Sequence, residues 1–192
     1  ALDFFYGAKF TYTDFQRQGN MMNGRFPDTS YGKGAKYSFT DFVFKGGATY
    51  KFNGRHFLTA NISYGTEAPI PDRAYVMPRV TEQVVKGLSS SKIFAADINY
   101  VFSMPRLSGR VSLFQTNFYN QLERMAFYHD SQRTFVYHNL TVVDKVHHGI
   151  EAAATYRLND NWSFDFMGTM AEYYYNNNPV GIMNSENGRV VD

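Results

Sequence analysis

Apolar and polar positions alternate along most of this chain. From Leu2 to Thr13, Leu2, Phe4, Tyr6, Ala8, Phe10 and Tyr12 fall on one side of an extended backbone, and Asp3, Phe5, Gly7, Lys9, Thr11 and Thr13 on the other. Successive side chains of a strand point to opposite faces, so a period of two over a dozen residues predicts a strand with one greasy face. Phe42, Phe44, Ala48, Tyr50 and Phe52 likewise oppose Lys45, Gly47, Thr49 and Lys51, and Leu58, Ala60, Ile62 and Tyr64 oppose Thr59, Asn61 and Ser63. Further on, Phe94, Ala96, Ile98, Tyr100 and Phe102 oppose Ala95, Asp97, Asn99 and Ser103. Ile150, Ala152, Ala154 and Tyr156 oppose Gly149, Glu151, Thr155 and Arg157, and Trp162, Phe164, Phe166 and Met170 oppose Ser163, Asp165, Met167 and Thr169. One arm departs from the rule: Val111 and Leu113 share a side with Gln115 and Asn117, while Phe114 and Phe118 lie opposite. That arm calls for a β-bulge near Leu113 or a face of mixed character.

The connections carry a second pattern. Asn53-Gly54-Arg55, 105–109 and Asn159-Asp160-Asn161 are short and built from turn-forming residues. Between them, at the other end, lie long segments near 17–40, 67–91 and 121–144, rich in Gly, Pro, Ser and Asn. Short turns at one end and long loops at the other are the plan of a membrane β-barrel, short turns periplasmic and long loops extracellular. Strands are expected near 1–16, 38–52, 55–66, 92–104, 108–124, 143–158 and 161–176. About seven is an awkward count, because bacterial single-chain barrels have an even number and an unclosed sheet leaves edges unpaired in lipid. The fold class expected is therefore all-β, an antiparallel meander of about seven long strands. It forms one incomplete domain over residues 1–192, a segment of a transmembrane β-barrel.

Composition sharpens this picture. The chain has 18 Phe, 15 Tyr and 1 Trp, yet its mean hydropathy is only −0.40. Nowhere is there a run of about 20 apolar residues, so a membrane crossing here has to be made by strands. With no cysteine, disulfide scaffolds and thiolate metal sites are excluded. A net charge of +2, scattered along the chain, provides no basic stripe, and nucleic acid is not an expected partner. The start, ALDFFYGAKF, carries no basic segment followed by an apolar one, so a signal has been removed or this is not the original N-terminus.

Four stretches add a family resemblance: KGGATYKFNGRHFLTANISYGTEAP (45–69), AYVMPRV (74–80), SSSKIFAADINYVFSMPRLSGRVSLFQTNFYNQ (89–121) and HHGIEAAATYRLNDNWSFDFMGTMAEYYYNNNP (147–179). Together they resemble the barrel of TonB-dependent outer-membrane receptors of the Bacteroidetes-type group. The third is similar to that family's strand, periplasmic turn, strand unit, and HGIE to its GxE strand. The resemblance implies an active transporter in the bacterial outer membrane, with a 22-stranded barrel, a plug inside it, and power drawn through TonB. Neither plug nor TonB-contacting segment nor closing strand is read in this sequence. The implied function is import of a nutrient, an iron chelate, cofactor or glycan fragment, with outer-membrane lipid around the barrel.

The residues point to no reaction. His147 and Glu151 share a strand face about 13 Å apart, too far to hold one ion. His129, His138, Asp130 and Ser131 fall in a predicted loop with no strained serine elbow. Tyr31-Gly32-Lys33-Gly34 lacks the strand and helix of a phosphate loop and reads as a loop tip. No catalytic residue, metal site or cofactor is expected, and the chain is not expected to be an enzyme. Parity places Lys9, Lys45, Lys51, Asp97, Glu151, Arg157 and Asp165 on inward faces, where they line a substrate route, hydrate the lumen or hold a plug. The loop aromatics Tyr31, Tyr75, Tyr128, Phe135 and Tyr137 are candidates for stacking on a ligand or for joining loop to loop. Phe52, Phe102, Trp162 and the run Tyr173-Tyr174-Tyr175 fit aromatic girdles at the membrane interfaces. Two other architectures share the period of two. One is a self-contained eight-stranded barrel acting as adhesin or anchor, with its eighth strand from 135–143; the other is a soluble β-sandwich binding domain.

Overall fold

A computed structural model describes residues 1–189. Long strands β1 (Leu2–Gly19), β2 (Gly32–Asn53), β3 (His56–Glu67), β4 (Ser91–Ser103), β5 (Leu107–His129), β6 (Thr134–Arg157) and β7 (Ser163–Tyr175) pair in chain order as an antiparallel meander. A short strand, β8 (Val180–Ser185), pairs with β6 beyond the end of β7. Two single-turn helices, α1 (Pro27–Ser30) and α2 (Pro71–Ala74), lie in the connections 20–31 and 68–90. Among the described residues β1 pairs only with β2 and β7 only with β6, so the sheet is open.

The register carries the face assignment across all seven strands. Phe4 pairs with Ala48, Ala48 with Ala60, Ala60 with Ile98, Ile98 with Leu113, Leu113 with Ile150 and Ile150 with Met170. One apolar row therefore crosses the sheet without interruption. The next row runs Asp3, Thr49, Thr59, Asn99, Ser112, Glu151, Thr169 and belongs to the other face. The apolar face is open to the surroundings, with Phe4 and Phe10 each 73% and Met170 77% exposed. A soluble sandwich buries such a face against a second sheet; here the buried hydrophobic residues are Ala74, Tyr75, Val76, Met77, Val85, Val136, Tyr137, Val143 and Val146, nearly all at the loop end.

The apolar band also slides along the strands. On β1 its upper limit is Tyr12, whereas on β7 it is Tyr174, whose row runs through Val146, Asn117, Phe94, Tyr64 and Phe44 to Ala8, four residues below Tyr12. The strands are thus inclined to the band they cross, as in a membrane barrel.

Several expectations need correction. Segment 121–144 is not a loop: β5 and β6 continue as a tall hairpin closed by a turn at 130–133, so His129 and His138 sit on strands. The first connection is shorter than 17–40 because β1 runs to Gly19 and β2 starts at Gly32. The Tyr31-Gly32-Lys33-Gly34 stretch is thus a strand start, where Gly32 adopts φ +86°. No bulge occurs at Leu113; β4 and β5 pair without a break from Lys92–Tyr119 to Ser103–Ser108, leaving the mixed face. The irregularities lie higher, between Phe118 and Glu123, where Asn120 and Val142 both take φ of 56°. The extra strand is 180–185, not 135–143, which belongs to β6. In the tyrosine run only Tyr174 shares the apolar face; Tyr173 and Tyr175 pair with His147 and Lys145 on the other.

Candidate functional site

The concave, polar face is the candidate site, and the register puts Lys9, Lys45, Lys51, Asp97, Glu151, Arg157 and Asp165 all upon it. They do not converge. Near the short turns Lys51 pairs with Asp3 at 2.5 Å, and Thr155 donates to Asp165 at 2.6 Å. In the middle, Asn61 Nδ2 donates to Asp97 Oδ1 at 2.7 Å, Asn99 donates to the same oxygen, and Ser112 Oγ donates to Asn99 Oδ1 at 2.6 Å. Asp97 is thus the acceptor of a side-chain network spanning three strands. Phe114 and Phe118, the rings that broke the parity of their arm, belong to this face. Phe118 lies 4.9 Å from His147, which in turn meets Tyr173 edge-on at 4.7 Å.

A cap closes over the loop end of this face. Segment 68–90 crosses the concavity and is fastened on both sides. Toward β1 and β2, Tyr75 packs against Phe15 and Tyr37, while Arg17 donates to the carbonyls of Pro78 (3.0 Å) and Ser30 (3.1 Å). Toward β6, Asn139 Nδ2 donates to the Val76 carbonyl at 3.1 Å, and Arg124 of β5 pairs with Asp72. Val76, Met77, Val85 and Tyr137 form the core of the cap, with Phe26, Val80, Leu88 and Leu122 around them. Connection 20–31 joins it where Thr81 Oγ1 donates to Thr29 Oγ1 at 2.8 Å.

Two of the loop aromatics are packing residues in this arrangement. Burial raises the phenol of Tyr75 above its ordinary value. Tyr137 is pushed up to about 12, by burial first and then by Glu186, to whose Oε1 its hydroxyl donates at 2.7 Å. Tyr128 and Phe135 stack edge-on at 5.4 Å near the hairpin tip, with Arg79 over Phe135, and both remain partly open to solvent. Tyr31 is exposed.

Sequence reasoning passed over several residues that organise the site. Arg17 and Asn139 lie in stretches that read as loop and Arg124 at the end of an expected strand, and only their hydrogen bonds to the 68–90 segment reveal that they face inward. Asp41 stands in an apolar arm, opposite Thr11, and is 3% exposed. Its odd-numbered position in β2 was the available signal, the same parity that singled out Lys45 and Lys51. It lines a cavity of about 470 Å³ between the concave wall and the first residues of the 68–90 segment.

A family model described as "TonB dependent receptor-like, beta-barrel" matches residues 1–191. Comparison with curated proteins and with solved structures returned no match.

Proposed function

The chain belongs to the TonB-dependent receptor β-barrel family, and on that premise we propose that its concave face and loop cap form part of the path by which one small nutrient is captured outside the cell and imported. Membership implies transport across the bacterial outer membrane, with a plug and TonB as partners. The nutrient is proposed to be an iron chelate, a cofactor or a glycan fragment. The observation that carries the reading is the seven-strand apolar row backed by an uninterrupted polar one. A sheet with lipid on one side and water on the other requires this division, and it leaves the concave side for solute and plug.

In this reading Lys9, Lys45, Lys51, Asp97, Glu151, Arg157 and Asp165 line the path or hold the plug. Tyr31, Tyr128 and Phe135 offer rings to a ligand arriving from outside, and Tyr75 and Tyr137 shape the cap that receives it.

The test is uptake by cells that carry or lack the full-length receptor, with and without functional TonB. Three labelled probes are supplied at limiting concentration: a ferric chelate, a corrinoid and an oligosaccharide. Uptake of one class is expected to require both proteins. Equal uptake of all three in every strain, or recovery of the receptor in the inner-membrane or soluble fraction, rejects the reading.

A further inference from the structure

We infer that the cavity beneath the 68–90 segment receives the cationic end of an amine-bearing solute, with Asp41 as its counter-charge; this rests on the import reading above. Asp41 is 3% exposed, and neither of its carboxylate oxygens has a hydrogen-bond partner. Lys9 lines the same cavity, but no ion pair joins it to Asp41. Removing a carboxylate from water without a partner is costly, and folded proteins seldom leave one so. A carboxylate only accepts hydrogen bonds, so the missing partner is a donor. A protonated amine supplies up to three donors together with the opposite charge.

The rest of the cavity suits such a molecule. Val43, Ile93 and Ile70 offer apolar wall for a carbon body, and Ser63 adds a hydroxyl. At about 470 Å³ it falls in the range of small-molecule sites. Its position favours a solute arriving from outside over a plug side chain. Asp41 lies on β2 about 40 Å by strand rise from Asn53 at the short-turn end, directly under the start of the cap.

The experiment uses the full-length receptor, plug included, in detergent, with assembly of each variant checked by heat-modifiable gel migration. The probes are phenethylamine, protonated at neutral pH, and its uncharged analogue 2-phenylethanol, titrated by ligand-observed NMR. Phenethylamine is expected to bind, Asp41→Asn to weaken it by about tenfold or more, and 2-phenylethanol to be indifferent to that change. Ser63→Leu narrows the cavity without touching the carboxylate and is expected to weaken both probes; it decides the matter if Asp41→Asn fails to assemble. Absence of amine binding, equal binding to wild type and Asp41→Asn, or amine binding that survives Ser63→Leu overturns the inference. So does an Asp41→Asn receptor whose plug becomes protease-sensitive while amine binding is unchanged, because the partner of Asp41 is then the plug. Asp41-dependent amine binding in a receptor with no TonB-dependent uptake rejects the import reading and leaves the site standing.

Discussion

Tyr137 illustrates how one side chain changes role between sequence and structure. As an aromatic in an expected loop it reads equally as a ligand platform or a loop anchor; in the fold it is 4% exposed, and its hydroxyl is committed to Glu186. A phenol whose folded pKa is about 12, against 10.0 ordinarily, binds its proton more tightly in the folded state. Its contribution is therefore complete below pH 10 and is lost as pH rises from 10 through 12. Amide exchange in 74–88 of the intact receptor is expected to accelerate across that window, and Tyr137→Phe to abolish that component. Asn139, 3% exposed, holds the Val76 carbonyl from β6. Asn139→Ala leaves that carbonyl without its donor and is expected to loosen the cap by about 1–3 kcal/mol, read as faster proteolysis within 74–88.

The strands show where a period of two is informative. Below the upper edge of the lipid band one face must be apolar, so alternation is enforced and parity is legible from sequence. Above it, from Gln121 to Leu140, water is available on the outer side; the alternation fades, and a hairpin reads as a loop. Ile98 stands midway between the ends of the apolar face of β4, Phe94 and Phe102. Ile98→Arg is expected to cost about 2–4 kcal/mol in the urea unfolding of the receptor in lipid vesicles, and Ala95→Arg, on the concave face, far less. The junction of β7 and β8 has its own device. Across from 142–144 the ladder is interrupted, and Asn177 replaces it, donating to the Val142 carbonyl at 2.7 Å and accepting from the Asp144 amide at 3.1 Å. Val142 is a β-branched residue at φ 56°, a costly conformation that neighbouring contacts must hold in place. Asn177→Ala is expected to release β8 by about 1–3 kcal/mol, seen as lost exchange protection at 181–185 with β7 unaffected.

In the molecule as a whole, two parts obey different solvents. The sheet has its largest hydrophobic residues outside and needs lipid to cover them, whereas the cap has a conventional hydrophobic core and borders on water. The cap is therefore separable from the sheet in stability. Replacing 70–88 by a short Gly-Ser linker in the full-length receptor is expected to preserve assembly in the outer membrane, measured by heat-modifiable migration. Nutrient uptake is expected to fall to background, since the concave face loses its cover at the loop end.

What the sequence determined by itself is the division between lipid and water: period-two alternation names the outward face of each arm, and the turn residues name the end at which the chain reverses tightly. These are local properties, fixed by the pleat and by φ preferences, and they suffice for an all-β membrane meander. Register, tilt and the fastening of the cap were left to the tertiary structure. They depend on which residues meet across strands and loops far apart in the chain, such as Arg17 with Pro78 or Asn139 with Val76. The burial of Asp41 belongs to the same class, because a carboxylate in an alternating arm looks solvated until a segment some thirty residues later covers it.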